Sequence, residues 1–277
     1  MPSSKTFLSS SIGQKLIMGL TGLFLVSFLV VHLSGNLLLF KDDGGLSFNE
    51  YTKFMTTNPV VKIMEWVLFA GFIFHIVYAI RLSWQNNRAR PQKYAFKKGM
   101  GNSSSWFSRN MGVTGTIFLA FLIVHLVMFW GFYKYGQGIE GIPIETVYSQ
   151  SWKVKDAHGP FIDTQLNQEV MIEKNSYLDE KKFELLKSNG VEKVKALSMT
   201  EVVNNSFQRP EIVIFYAIAM LLLAFHLSHG FQSAFQTLGL VHKKYTPIVL
   251  TVGKIFAVAV PLLFAIIPIF FYVRSVL

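Results

Sequence analysis

Five long apolar stretches dominate this sequence, and each is almost free of charged residues. Each has about 20 residues or more, which at a rise of about 1.5 Å per residue is enough to cross a hydrocarbon core of about 30 Å. Because lipid offers the backbone no hydrogen-bonding partner, a spanning segment must satisfy its own peptide groups, as an α-helix does. We therefore predict an all-α membrane protein, a bundle of five transmembrane helices at about residues 14–40, 59–84, 108–134, 210–239 and 245–275.

The composition agrees with a bilayer as the natural solvent. Hydrophobic residue types make up 51% of the 277 residues, and charged types only 15%, against about 25% in an ordinary soluble domain. The chain has no cysteine, which excludes a disulfide scaffold and a cysteine-ligated zinc or iron–sulfur site. A disordered chain is excluded by the same hydrophobic content.

The net charge of +10 lies mostly in the links between the apolar stretches. Residues 1–15 hold two lysines and no acid, and the link 81–109 holds seven basic residues and no acid. The segment 134–209 instead has 10 basic and 11 acidic residues. The positive-inside rule therefore predicts a cytoplasmic amino terminus, an outer carboxyl terminus and an extracytoplasmic insertion at 135–209. Within that insertion, the run 178–199 has a helical pattern with a break at Gly190.

Four histidines lie inside four consecutive apolar stretches: His32, His75, His125 and His226. Each comes 16 or 17 residues after the charged residue or proline that opens its stretch, or about 24 Å of helical rise. Since the first and third helices run outward, His32 and His125 share a level in the outer half, while His75 and His226 share one in the inner half. Two imidazoles with no other ligand are typical of a low-spin haem iron. We therefore expect His32 and His125 to bind an outer haem iron, and His75 and His226 an inner one.

An internal repeat supports two haem sites. Eleven residues are close to a whole number of helical turns, so Thr21 lies on the same face as His32, and Thr114 on the same face as His125. Thr21 and Thr114 each lie at the level of the haem that their own helix does not ligate, and small residues there let a flat macrocycle approach. Gly71 could do the same in the second helix. The simpler explanation, close helix packing, accounts for the glycines but not for their spacing to histidine. The repeated segments are 19–33 (GLTGLFLVSFLVVHL) and 112–126 (GVTGTIFLAFLIVHL).

Two assignments remain open from the residues alone. His226 and His229 are neighbours on one helix face, and depth and the following Gly230 favour His226 as the ligand. Glu65 lies about two turns inside the second helix, where it could exchange a proton with a quinone. Alternatively, Glu65 reaches the interface and pairs with Lys62.

The pattern resembles the dihaem cytochrome b membrane subunit of succinate dehydrogenases and fumarate reductases, in the form where one five-helix chain anchors both haems. The resemblance covers the five spans and the T-G-x9-H elements that end at His32 and His125. It also covers the segment HLSHGFQSAFQTLG at 226–239, where the family has a histidine, a glycine four residues on and a second glycine nine further. This alignment places the fourth ligand at His226.

The resemblance implies a non-catalytic subunit of an enzyme complex in the bacterial cytoplasmic membrane. A flavoprotein subunit and an iron–sulfur subunit would bind on the cytoplasmic side, for which the link 81–109 is a suitable surface. Electrons would pass through two haems b to or from a quinone, commonly menaquinone. Some family members carry a proton-transfer glutamate where this chain has Ala224, and the family's quinone-site glutamate does not align cleanly, so Glu65 and Glu50 are both candidates.

Two other classes of protein fit part of the pattern. One is the dihaem cytochrome b subunit of another respiratory oxidoreductase, such as a hydrogenase or formate dehydrogenase, in which different histidine spacings are expected. The other is a non-haem membrane transporter or structural anchor with buried polar histidines. A transporter predicts interrupted helices and more polar residues within the membrane than this chain has.

Overall fold

The computed structural model describes residues 10–89, 110–135, 148–154, 161–163, 168–170, 177–178 and 191–277. Five helices in these parts of the chain are long and apolar enough to cross a membrane, and the all-α membrane architecture with five spans is confirmed. The spans are Ser11–Phe40, Pro59–Arg88, Met111–Lys134, Pro210–Thr237 and Thr246–Val276. Most of the predicted docking link, residues 90–109, lies outside the described residues.

Eight α-helices are named here in chain order. They are α1 (Ser11–Asn36), α2 (Leu46–Thr57), α3 (Pro59–Arg88), α4 (Met111–His125), α5 (Phe132–Tyr135), α6 (Met199–Phe207), α7 (Pro210–Thr237) and α8 (Thr246–Val276). A 3-10 turn, Leu37–Phe40, continues α1, and a π-helical turn, Leu126–Gly131, joins α4 to α5. The helices belong to two compact units, of which the first contains α1 as far as Leu33, α3, α4, α7 and α8, and the second contains α2, α5 and α6.

Within the first unit, α7 packs along α8 and also against α4. Gly253 of α8 lets the ring of Phe231 approach its backbone, where a Cβ would overlap that ring. Small residues at such positions bring membrane helices together, because van der Waals contact rather than the hydrophobic effect holds them in lipid. The backbone of α1 approaches that of α7 at Gly19, where a Cβ would lie 3.6 Å from the Cα of Ala234. Aromatic and imidazole rings fill the space beside α1, as where His32 lies 5.4 Å from Phe264 between ring centres.

The second unit is built around hydrogen bonds between α2 and α6. The amide of Asn49 in α2 donates to Ser198 Oγ at 3.1 Å and accepts from the backbone N–H of Thr200 at 3.1 Å. Ser198 also caps α6, since its Oγ accepts from the N–H of Glu201 at 3.3 Å. The Thr200 hydroxyl donates to the carbonyl of Gly45, immediately before α2, at 3.1 Å. Polar side chains therefore satisfy the free backbone groups at the start of α6.

The loop before α2 is shaped by one carboxylate and one glycine. The two carboxylate oxygens of Asp43 accept from the N–H groups of Gly45 and Ser47, both at 3.0 Å. Burial alone would raise the pKa of Asp43, but these bonds, the Ser47 hydroxyl and the charge of Lys41 together lower that pKa below its usual value. Gly45 has φ +87°, a left-handed conformation that favours glycine.

Between the third and fourth spans, the described residues form five short strands: β1 (Tyr148–Val154), β2 (Phe161–Asp163), β3 (Gln168–Val170), β4 (Tyr177–Leu178) and β5 (Val191–Leu197). β1 is the centre of an antiparallel sheet with β4 and β5, and β2 pairs with β3. The predicted helix over 178–199 is therefore wrong for β4 and β5, while residues 179–190, with Gly190, lie outside the described residues. β5 forms its hydrogen bonds with β1, about 40 residues earlier in the chain. A helical pattern among neighbouring residues gives no information about such a distant partner.

Candidate functional site

The first pair of histidines joins α1 to α4. His32 lies near the carboxyl end of α1, and His125 is the last residue of α4. Their ring centres are 5.8 Å apart and their ring planes are inclined at 82°. Both rings are half-buried. The structure thus brings together the two histidines that were predicted to share the outer level.

The second pair joins α3 to α7. The rings of His75 and His226 have their centres 6.3 Å apart, with planes inclined at 63°. His226 is therefore the α7 histidine that meets His75, and His229 lies one turn farther along, half-buried. Each of the four predicted ligands has the partner that its depth in the sequence indicated.

The separation of the rings fits one metal ion between two imidazoles. An iron about 2 Å from one nitrogen of each ring, with each ring centre about 1 Å farther out, requires ring centres about 6 Å apart. The observed values are 5.8 and 6.3 Å. No group of three or more His, Asp or Glu side chains that could hold a metal occurs among the described residues. Within the described parts of the chain, each pair therefore offers two imidazoles, a donor set that fits a low-spin haem iron.

A threonine hydroxyl contacts one ring nitrogen of His75. Thr21 Oγ1 lies 3.2 Å from His75 Nδ1 and also 2.8 Å from the carbonyl of Ile17, to which it donates. Because the hydroxyl has only one hydrogen, it accepts from His75, so Nδ1 carries the proton. The lone pair of His75 is then on Nε2, and an outer hydrogen bond of this kind orients a metal ligand.

A tyrosine hydroxyl contacts the same ring nitrogen of His125. The phenol oxygen of Tyr216, in α7, lies 3.1 Å from His125 Nδ1. The Tyr216 side chain is only 5% exposed and meets the ring of Phe121 edge to face, with centres 4.9 Å apart. Sequence reasoning did not identify Tyr216. Its signal was a single hydroxyl-bearing aromatic residue ten positions before His226, in a largely aliphatic segment.

The ring of His226 lacks such a partner among the described residues. His226 Nδ1 is buried, and no described group forms a hydrogen bond with it. Thr114, which matches Thr21 in the repeat, donates instead to the backbone carbonyl of Met111 at 3.1 Å. The two rings of the second pair therefore differ, since Nδ1 of His75 has a hydroxyl partner and Nδ1 of His226 has no described one.

Two glycines of the repeat border the second pair. A Cβ on Gly22 would lie 3.4 Å from Cε1 of His75, and one on Gly115 would lie 3.5 Å from Cε1 of His226. A side chain larger than alanine would therefore push against the imidazole, so these glycines keep the space beside both rings open. Gly71 borders a phenylalanine of another helix. A Cβ there would lie 2.8 Å from the ring of Phe24, so the small size of Gly71 lets that ring approach.

The two candidate quinone carboxylates lie in different environments. Glu65 is half-buried within α3 and belongs to the first unit, together with the four histidines. Glu50 is exposed on α2 and belongs to the second unit. Only Glu65 therefore lies on a helix that also contributes a histidine to a pair.

Comparisons of this chain with protein-family models, with curated proteins and with solved structures found no match. Five long apolar helices characterise the chain as a multi-pass membrane protein.

Proposed function

We propose that this chain is the membrane anchor and electron-transfer subunit of a succinate:quinone oxidoreductase or quinol:fumarate reductase, with two b haems and part of the quinone site. The observation that carries the proposal is the pairing of four histidines from four spans, with ring centres 5.8 and 6.3 Å apart. Two bis-imidazole sites at different depths suit two haems that relay electrons across a bilayer.

His32 and His125 would hold the outer haem iron, and His75 and His226 the inner one. When bound, each haem supplies reversible one-electron transfer. Thr21 keeps the metal-binding nitrogen of His75 unprotonated, as its bond to Nδ1 requires. Phe28 stacks on the ring of His32, and Phe121 stacks on that of His125.

The quinone site is proposed to use a carboxylate, because reduction of a quinone consumes protons as well as electrons. Glu65 is the first candidate, since it is half-buried in a spanning helix of the first unit, and Glu50 is the second. Measuring the Michaelis constant for a quinol in Glu65→Gln and in Glu50→Gln distinguishes the two candidates. The variant of the residue that meets the quinone should raise this constant.

The catalytic subunits are proposed to bind on the cytoplasmic side, and no residue of this chain is assigned to succinate or fumarate chemistry. Arg81 and Arg88, the described basic residues of the link 81–109, are exposed. Their charge suits a protein partner. The positive-inside rule by itself also accounts for basic residues in a cytoplasmic link. We propose that the chain lies in the bacterial cytoplasmic membrane, with its amino terminus inside and its carboxyl terminus outside.

A reduced-minus-oxidised spectrum of the purified chain, with haem counted per polypeptide, tests the proposal. We expect two haems b in the parent. His32→Ala and His125→Ala should lose the same haem, and His75→Ala and His226→Ala the other. His242→Ala is the matched control, since His242 is exposed outside the spans, and it should keep both.

Two other results would redirect the assignment. A folded parent chain without haem would refute the electron-transfer proposal and favour a non-haem transporter. Two haems, but no succinate–quinone or quinol–fumarate activity when the chain is co-expressed with the flavoprotein and iron–sulfur subunits, would favour a dihaem cytochrome b of the hydrogenase or formate dehydrogenase type.

A further inference from the structure

The first unit contains an approximate two-fold relation that exchanges α1 with α4 and α3 with α7. The sequence repeat relates α1 to α4, as the matching segments 19–33 and 112–126 show. The helices α3 and α7 have no such sequence repeat. However, each begins with a proline and has its paired histidine 16 residues later.

Contacts between the helices obey this relation. A Cβ built on Gly22 of α1 would lie 3.4 Å from Cε1 of His75, and a Cβ built on Gly115 of α4 would lie 3.5 Å from Cε1 of His226. The similar values show that α1 meets α3 in the same way that α4 meets α7.

A second set of contacts links the other helix pairs. A Cβ on Gly19 of α1 would lie 3.6 Å from the Cα of Ala234 in α7, and one on Gly112 of α4 would lie 3.6 Å from Oγ of Ser83 in α3. Ala234 and Ser83 each come eight residues after the histidine of their helix. The exchange therefore holds for both pairs of facing helices.

The rings around the first histidine pair follow the same rule. Phe28, four residues before His32, stacks on it with centres 5.3 Å apart. Phe121, four residues before His125, stacks on that histidine at 5.7 Å. His32 and His125 are thus equivalent in sequence, in their stacking partner and in facing each other.

The equivalence assigns a counterpart to Tyr216. Tyr216 lies ten residues before His226 on α7 and bonds Nδ1 of His125. The residue ten positions before His75 on α3 is Glu65. We propose that Glu65 is a positioning residue for His32, whose Nδ1 it binds through its carboxyl group as Tyr216 binds that of His125. This inference rests on the proposed haem function.

The chemical consequence for the His32 ring depends on which group accepts its Nδ1 proton. A carboxylate that accepts the Nδ1 proton of a ligating histidine makes the ring more basic than a phenol does, as in carboxylate–histidine–metal arrangements. A more basic ligand favours the oxidised iron. Glu65 therefore lowers the midpoint potential of the haem held by the His32–His125 pair, and the half-buried position of Glu65 limits screening by water.

Redox titration of each haem, followed by its optical spectrum, tests this role. The haem that His125→Ala removes identifies the signal of the first pair. Glu65→Gln keeps the shape and weakens the acceptor, so we expect the midpoint potential of that haem to rise while the other stays unchanged. Glu65→Tyr copies the counterpart residue and should retain both haems. Glu50→Gln is the carboxylate control and should shift neither potential.

Each outcome bears on one proposal. A parent without haem overturns the proposed function. Two haems in the parent, with both potentials unchanged in Glu65→Gln, overturn the role of Glu65 and leave the function standing. If Glu65→Gln does not accumulate in the membrane, Glu65→Tyr decides. Two haems in Glu65→Tyr support the equivalence of the halves, and failure of this variant to hold the haem of the first pair refutes it.

Discussion

Replacing Tyr216 by phenylalanine should weaken the fold by about 1 kcal/mol without disturbing the helix packing. The change removes one hydroxyl, which lies 3.1 Å from His125 Nδ1 in a side chain that is 5% exposed. It keeps the ring that meets Phe121 edge to face. The loss therefore reports the hydrogen bond and not a cavity.

The magnitude depends on the solvent of the unfolded state. In a water-soluble protein, a buried partner left unsatisfied costs about 1–3 kcal/mol. In membranes, side-chain hydrogen bonds between helices average about 0.6 kcal/mol and reach about 1.7, because the unfolded helices also find partners. The burial of Tyr216 favours the upper part of that range. A value of about 1 kcal/mol corresponds to a change of about fivefold in the folding equilibrium.

Unfolding in mixed micelles titrated with sodium dodecyl sulfate, followed by circular dichroism, measures this cost. Tyr245→Phe is the matched control, since Tyr245 is 56% exposed and its loss of a hydroxyl should be close to neutral. Tyr216→Phe made in a His125→Ala background should cost almost nothing, because the partner is already gone. The same cost with and without His125 would show that the hydroxyl acts elsewhere and would refute the reasoning.

The loop before α2 should respond to both a backbone and a charge substitution. Gly45→Ala is expected to cost about 2–4 kcal/mol, since it combines a left-handed backbone with overpacking against Thr200. Gly239→Ala, at φ +72° with no described atom within 4 Å, should show only the backbone part, and equal costs in the same unfolding assay would contradict this account. The lowered pKa of Asp43 means that its contribution to stability is complete above the unfolded value of about 3.9 and is lost as pH falls through the folded value. The protection factor of the Ser47 amide should therefore fall below about pH 4 in the parent but not in Asp43→Asn, and parallel pH profiles in the two chains would exclude this role.

Features that depend on neighbours along the chain could be predicted. A span needs only a run of apolar residues of sufficient length, and five such runs give the five candidate spans of the structure. The level of each histidine follows from a fixed rise per residue. For this reason, counting from the start of each helix indicated that His32 shares a level with His125, and His75 with His226, and the structure brings these same pairs together.

Features that depend on distant partners were missed or wrongly predicted. Val191–Leu197 has a helical pattern in its sequence but forms a strand, because β1 supplies its hydrogen bonds. The close approach of Phe24, a residue of another helix, to Gly71 was not predicted either. Neither result follows from spacing, since each depends on which face of one element meets another.

By itself, the sequence determined the number of spans, the depth of the four histidines and the repeat that relates α1 to α4. All of these follow from local periodicity and helical rise. Only the tertiary structure decided that Tyr216 reaches His125 across 91 residues, that Thr21 selects the tautomer of His75, and that His226 Nδ1 has no described partner. These contacts depend on how each helix is rotated about its axis, and packing between helices sets that rotation.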